Sequence, residues 1–194
     1  MLRNIIVSIV SIVFLVSMSF SAEKYVADKA HSNIGFEVKH LVFTTVPGKF
    51  QDYQVEFVFD QNDLSNSSIN AAIKTASIDT DNEKRDNHLV SADFFDAEQH
   101  PEITFISKEI MKSEDGYVAK GTLTMRGVSR EIELPFKILG TMKDPWGNTK
   151  MGVESELTIN RQDYNVNWNK PLDAGGVLVS NDVKIKLELQ LQEG

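Results

Sequence analysis

Apolar and polar residues alternate along most of the chain, the period of a strand with one buried face. In the last run Val183, Ile185, Leu187, Leu189 and Leu191 share one face, while Asp182, Lys184, Lys186, Glu188 and Gln190 share the other. The same pattern holds for Ile132, Leu134, Phe136 and Ile138, for Met151, Val153, Ser155, Leu157 and Ile159, for Ile34, Phe36 and Val38, and for Val55, Phe57 and Phe59. Weaker runs lie at 69–78, 102–108 and 117–125. Glu114-Asp115-Gly116, Arg126-Gly127-Val128-Ser129 and Asp144-Pro145-Trp146-Gly147-Asn148 supply turn chemistry between successive runs. The reading is at least eight strands, mostly sequential and antiparallel. A single helix is predicted near residues 81–92, with Asp81 as its cap and Glu83 in its first turn. One short helix cannot cover so many apolar strand faces. They must meet each other, and the all-β solution preferred is an antiparallel barrel of about eight strands, filled by side chains or holding a small ligand.

The first residues stand apart from this pattern. Arg3 precedes an apolar run from Ile5 to Val16, and small residues follow at Ser17, Ser19, Ser21 and Ala22. That order predicts a secretory signal peptide over 1–21, cleaved after Ser21. The run is short for a membrane span, which needs about 20 residues. The rest, 22–194, reads as one domain, soluble and periplasmic, with full secretion as an alternative. The chain has no cysteine, so disulfides, thiolate metal sites and thiol catalysis are excluded. Its net charge of −8 and lack of a basic run argue against nucleic acid as a partner. Eleven Phe against four Tyr and two Trp favour aromatics without a polar handle.

Several strings, in order, resemble the YceI family of secreted, polyisoprenoid-binding, lipocalin-like proteins. They are Asp28-Lys29-Ala30-His31-Ser32 with Ile34, Phe36, Val38, His40, Gly48 and Phe50; Ala76-Ser77-Ile78-Asp79-Thr80 with Arg85-Asp86-Asn87-His88-Leu89 and Ser91-Ala92-Asp93-Phe94-Phe95-Asp96; Pro101-Glu102-Ile103-Thr104-Phe105; Gly121-Thr122-Leu123-Thr124-Met125-Arg126-Gly127-Val128; and Asn160-Arg161-Gln162-Asp163-Tyr164. Such proteins often carry Arg-x-Asp-Phe-Gly at the last position, where Tyr164-Asn165 stands here. The resemblance implies a long antiparallel barrel whose apolar interior holds a polyprenyl chain or related quinone-like lipid. It implies a carrier or buffer and not an enzyme, with no cofactor beyond the lipid, and leaves monomer and dimer open.

On that reading Ile34, Phe36, Val38, Phe57, Phe59, Phe94, Phe95, Phe105, Leu123 and Phe136 are the expected cavity lining, with Phe94 and Phe95 plugging one end. The competing reading of the same faces is a packed core without ligand. His31, Arg85, His88 and Arg161 are candidates for contacts to a polar head group. For Arg85 the preferred role is a tie between helix and barrel through a carboxylate, with the head-group role second. Catalysis by His88 oriented by Asp86 ranks third, because no nucleophile in an elbow motif accompanies them. The four histidines show no metal-ligand spacing, and the Asp79–Val90 stretch lacks the glycine and glutamate of a calcium loop, so no metal is expected. Arg126 and Arg130 are expected to be solvated. An enzyme acting on such a lipid, or a packed barrel with an exterior partner surface, are the alternatives to the carrier.

Overall fold

The computed structural model describes residues 22–172 and 176–194. The expected leader over 1–21 lies outside them. Eleven strands form one antiparallel sheet: β1 (Glu23–Ala27), β2 (Asn33–His40), β3 (Thr44–Phe50), β4 (Tyr53–Phe59), β5 (Ser68–Lys74), β6 (Ile78–Asp79), β7 (Glu102–Ser113), β8 (Gly116–Met125), β9 (Val128–Lys143), β10 (Thr149–Asn160) and β11 (Val179–Glu193). Eight of them close a ring in the order β1-β4-β5-β7-β8-β9-β10-β11, sealed by the pairing of Tyr25 with Glu193. The barrel expected from the alternation is therefore present. Closure removes the free edges that an open sheet of this length would expose.

The ring is not uniform along its axis. The last residues of β11 pair with β1, whereas its earlier residues pair with β2, Ile185 opposite Phe36. β1 and β2 thus share one neighbour and are separated by a 3-10 turn, Lys29–His31. β3 extends the wall from β2 and ends against the two-residue β6. Beyond that point β4 pairs with β5 instead. The weak 69–78 run is thus two strands with a 3-10 turn, Thr75–Ser77, between them.

The single helix, α1 (Glu83–Val90), is one residue shorter at its start than Asp81 capping would require. The Asn82 side chain accepts from the Arg85 N–H at 2.9 Å. Asp81 has φ 56°, which takes it out of the helix and into the left-handed region that Asp tolerates. All three turns read from the sequence join consecutive strands. At the third, the Asp144 carboxylate accepts from the Trp146 and Asn148 N–H groups, both at 2.9 Å.

Three register shifts break the simple alternation: one in β11 between Val179 and Val183, and bulges on β7 and β9. Ser107 pairs with Gly121 but Glu109 pairs with Lys120, so Lys108 is extra and the parity of β7 changes. Ile106 is consequently exposed while Ile110 is buried. On β9, Gly140 faces Gly152 and Ile138 faces Val153, leaving Leu139 out of register and 65% exposed. An extra residue in one strand increases local twist and bends the strand, as a closing sheet requires.

Candidate functional site

The inner faces of the strands do not meet across the whole barrel. They enclose a cavity of about 190 Å³ whose exposed wall is entirely apolar. It is long and narrow: the lining residues of β10 alone run from Val153 to Ile159, six steps or roughly 20 Å of strand. Ser155 is the one hydroxyl among those lining residues of β10, and it is satisfied by donating to the Pro135 carbonyl at 2.6 Å.

Of the residues singled out from the sequence, Ile34, Phe36, Val38, Phe94, Phe95, Phe105, Leu123 and Phe136 face this cavity. Phe57 and Phe59 do not. They are 2% and 9% exposed and belong to a packed aromatic group at one end. There Phe57 meets Phe136 edge-on at 5.8 Å, Phe59 meets Tyr117 edge-on at 5.5 Å, and Tyr117 stacks on Phe136 at 5.3 Å. Phe136 is the boundary, with one face in the aromatic group and contact with the cavity. Ile159, Leu157, Ile185, Leu187 and Leu189 also line the wall. Their alternation was visible in the sequence, but nothing in it marked them as lining rather than core.

The opposite end is covered by α1 and two connections. Leu89 of α1, Phe94 and Phe95 after it, and Val166 from the β10–β11 connection reach the cavity. Phe95 meets Phe50 edge-on at 6.2 Å, and Phe50 in turn meets Phe36 at 5.9 Å. Trp168 packs against Phe94 at 5.0 Å and against the His88 ring at 5.0 Å, so the two connections clasp each other. His88 is held from its other side by Asp93, 2.8 Å from Nε2. This is a fastening of the cover, and His88 does not reach the lumen.

Arg85 also lies outside the cavity, and no carboxylate pairs with it among the described residues. Its Nε donates to the Thr80 hydroxyl at 2.7 Å and an Nη to the Thr80 carbonyl at 2.6 Å. Thr80 in turn donates its N–H to the Asp86 carboxylate at 3.0 Å and its hydroxyl to the same oxygen. The tie between helix and barrel exists, but through threonine rather than an ion pair. His31 belongs to a corner that does not line the cavity. Its Nδ1–H donates to Asp28 at 3.0 Å, and Asp28 also receives Lys150 at 3.2 Å. The His31 hydrogen bond is the main cause, with Lys150 adding, of an Asp28 pKa lowered to about 2. The Ser32 hydroxyl completes the corner, donating to the Gln190 carbonyl at 3.2 Å and accepting from the Gln190 N–H at 3.0 Å.

Arg161 alone among the four head-group candidates reaches the cavity. It opens a 3-10 turn, Arg161–Tyr164, that follows β10, and it is 5% exposed. Nε donates to the Ser180 carbonyl at 2.9 Å and Nη1 to the Val166 carbonyl at 2.5 Å. Burial lowers its pKa below the ordinary guanidinium value. The turn ends at Asn165, with φ 60° and ψ 13°. Asparagine accepts this left-handed position, which explains why the chain turns here without glycine. Arg126 and Arg130 are not free in solvent: Arg126 donates to the Asn165 and Ala92 carbonyls, and Arg130 to the Asp163 carbonyl at 3.2 Å.

The chain matches the YceI-like domain over residues 25–191. A UPF0312 protein of Pectobacterium atrosepticum is 38% identical over 86% of this chain and 88% of its own length. The crystal structure of the YceI protein of Campylobacter jejuni covers 86% of this chain and 96% of that one, with 34% identity and a TM-score of 0.67. A domain from Saccharophagus degradans, described as polyisoprenoid-binding, shares the fold at 14% identity and a TM-score of 0.62, covering 90% of this chain and all of that one. The chain belongs to the YceI family.

Proposed function

We propose that this protein is an exported, periplasmic carrier or buffer for a long-chain isoprenoid-type lipid, held in the barrel without chemical conversion. The observation that carries this reading is the long cavity with a wholly apolar exposed wall. Burial of an alkyl chain contributes about 0.8 kcal/mol per CH2, so such a wall holds an extended chain without charged contacts along its length. The description of the Saccharophagus degradans domain as polyisoprenoid-binding agrees with this use of the fold. Arg85, Asp86 and His88, the residues considered for catalysis, bond one another's neighbours outside the lumen, which favours binding over turnover.

The lipid must enter and leave through the covered end. The β2–β3 turn there exposes Val42 by 72% and Phe43 by 86%, four and five residues beyond the lining residue Val38. The Leu41 N–H is tied to the Leu178 carbonyl of the β10–β11 connection at 2.8 Å. An apolar tip joined to the cover suits contact with a membrane surface during exchange. The test is mass spectrometry of an organic extract of protein purified natively from the periplasm. A stoichiometric long-chain lipid is expected. A protein recovered from the periplasm with no bound lipid, and none taken up from polyprenol-loaded vesicles, overturns the carrier.

A further inference from the structure

Exposed apolar side chains gather where the cover meets the barrel wall. Among the described residues nine large hydrophobic side chains are exposed, and four of them, Leu41, Val42, Phe43 and Val177, lie in two adjoining turns at the covered end. The Leu41 N–H donates to the Leu178 carbonyl at 2.8 Å, and the Leu178 N–H to the Lys170 carbonyl at 3.0 Å, so both turns form one projection. The backbone of the first turn is held against its preference. The Phe43 N–H closes it on the His40 carbonyl at 3.2 Å, and its two central residues, Leu41 and Val42, have φ of 52° and 68°. Tight turns with two such residues favour Asn-Gly, because a Cβ crowds the backbone at positive φ and a β-branched side chain crowds it most. Val42 is 72% exposed, so packing within the fold offsets little of that strain.

Charge says what the projection meets. From Val38 to Gly48 the hairpin carries no acid, in a chain whose net charge is −8. Lys39, two residues before Leu41, and Lys170, on the connection, are exposed. Neither is ion-paired among the described residues, whereas Lys49 and Lys186 behind them are held by Asp79 and Glu37. Lys39 Nζ donates to the neutral Thr45 hydroxyl at 2.7 Å. An apolar tip collared by uncompensated cations is complementary to a bilayer with an anionic surface. The tip enters the boundary of the acyl chains while the lysine stems reach back to the phosphates. Resting on the carrier reading, we propose that this projection docks the barrel on an anionic lipid bilayer, with Val42 and Phe43 inserted and Lys39 and Lys170 at the level of the phosphates. Docked so, the covered end of the cavity faces the membrane.

Co-sedimentation with vesicles tests this. The purified protein is titrated with vesicles of phosphatidylglycerol and phosphatidylethanolamine, or of phosphatidylcholine alone. Binding to the anionic vesicles is expected to be at least about tenfold tighter, since each lysine near an anionic surface contributes roughly fivefold. Lys39→Gln combined with Lys170→Gln should remove most of that preference. Leu41→Asn combined with Val42→Gly gives the turn the residues its backbone favours. It should raise the melting temperature and at the same time weaken vesicle binding about tenfold, an outcome that misfolding does not produce. Equal binding to both vesicle types, or undiminished binding after Leu41→Asn with Val42→Gly, overturns the proposal. A dimer of the unaltered protein that the same double substitution dissolves assigns the projection to a second copy and also overturns it. Lipid extracted from the same preparation is quantified in parallel. A protein that holds lipid but sediments with neither vesicle loses only the docking role. One that sediments as expected, yet neither holds nor takes up lipid, keeps the docking role and loses the carrier reading.

Discussion

The two ends of the barrel use the same residue types to opposite effect. At one end Phe57, Phe59, Tyr117 and Phe136 touch ring to ring and leave no lumen. At the other, Phe36, Phe50, Phe94 and Phe95 surround space, and α1 with two connections takes the place of a packed floor. In the first case each ring is surrounded by other side chains. In the second each ring has neighbours on one side and the cavity on the other. A side chain with no partner atoms on one side forfeits dispersion contacts, so the cavity end contributes less to stability per residue than the packed end. The difference separates what holds the barrel together from what the barrel holds.

The largest test of that division is truncation at each end. Phe57→Ala should cost about 3–5 kcal/mol, because it removes a ring that is 2% exposed from a filled region. Leu157→Ala, on the cavity wall, should cost less than about 2 kcal/mol, since part of its surroundings is already empty. Urea denaturation of both variants measures the contrast. Equal losses would mean that the cavity wall is as tightly supported as the aromatic end.

Enlargement should reverse the order of harm. Ala119 is 0% exposed, is not part of the cavity wall, and pairs with Ile110 and Leu134 across β8. Ala119→Leu should destabilise by about 1–3 kcal/mol through overpacking. Ala71 lines the cavity, so Ala71→Leu should leave the denaturation midpoint within about 0.5 kcal/mol of the original while reducing the bound lipid per protein several-fold. Midpoints and extracted lipid, measured on the same samples, check both halves. An Ala71→Leu protein with undiminished lipid would move the chain away from β5.

The same contrast explains what could be read from the sequence. Alternation correctly marked the inner faces, the antiparallel order and the turns, because a closed barrel buries one face of every strand. It carried no information about depth along the axis. Phe57 and Phe36 have the same local pattern, yet one lies in the aromatic end and the other on the cavity wall. Ile110 lies beyond the 102–108 run, because the extra Lys108 shifts its parity relative to Phe105. The roles of Arg85 and Arg161 were equally hidden. Both follow polar residues near an element end, and only the fold shows that Arg85 spends its donors on Thr80 while Arg161, beside the cavity, spends two of its own on the Ser180 and Val166 carbonyls. Trp168 lies in a stretch without periodicity, and its contact with His88 and Phe94 depends on two connections meeting over the cavity.

If the covered end is where lipid passes, a change at its tip should alter rate and not affinity. Phe43→Asp replaces an 86% exposed apolar ring by a charge. Stability should change by no more than about 0.5 kcal/mol. Transfer of a fluorescent polyprenol from vesicles should slow several-fold while equilibrium loading stays the same. An unchanged transfer rate would separate the tip from the exchange route.

The smallest expected effect lies in the wall near the packed end, at the corner between β1 and β2. Asp28 accepts from His31, Lys150 and the Ala30 N–H, and its pKa is lowered to about 2, with the His31 hydrogen bond as the largest cause. A carboxyl group whose pKa is lower in the folded chain than in the unfolded one stabilises the fold above the unfolded value. That contribution falls as pH drops through about 4 and is gone below the folded value of about 2. The carboxylate is 21% exposed, so solvent screening reduces the effect to about 1 kcal/mol. Asp28→Asn should therefore be less stable than the unaltered protein at pH 6, and the gap should close as the pH approaches 2. Denaturation midpoints measured from pH 6 to pH 2 check the sign. The corner does not touch the cavity, so lipid content at pH 6 should be the same in both proteins. A loss of lipid in Asp28→Asn would show that the two ends are coupled through β11, which pairs with β1 at one end and β2 toward the other.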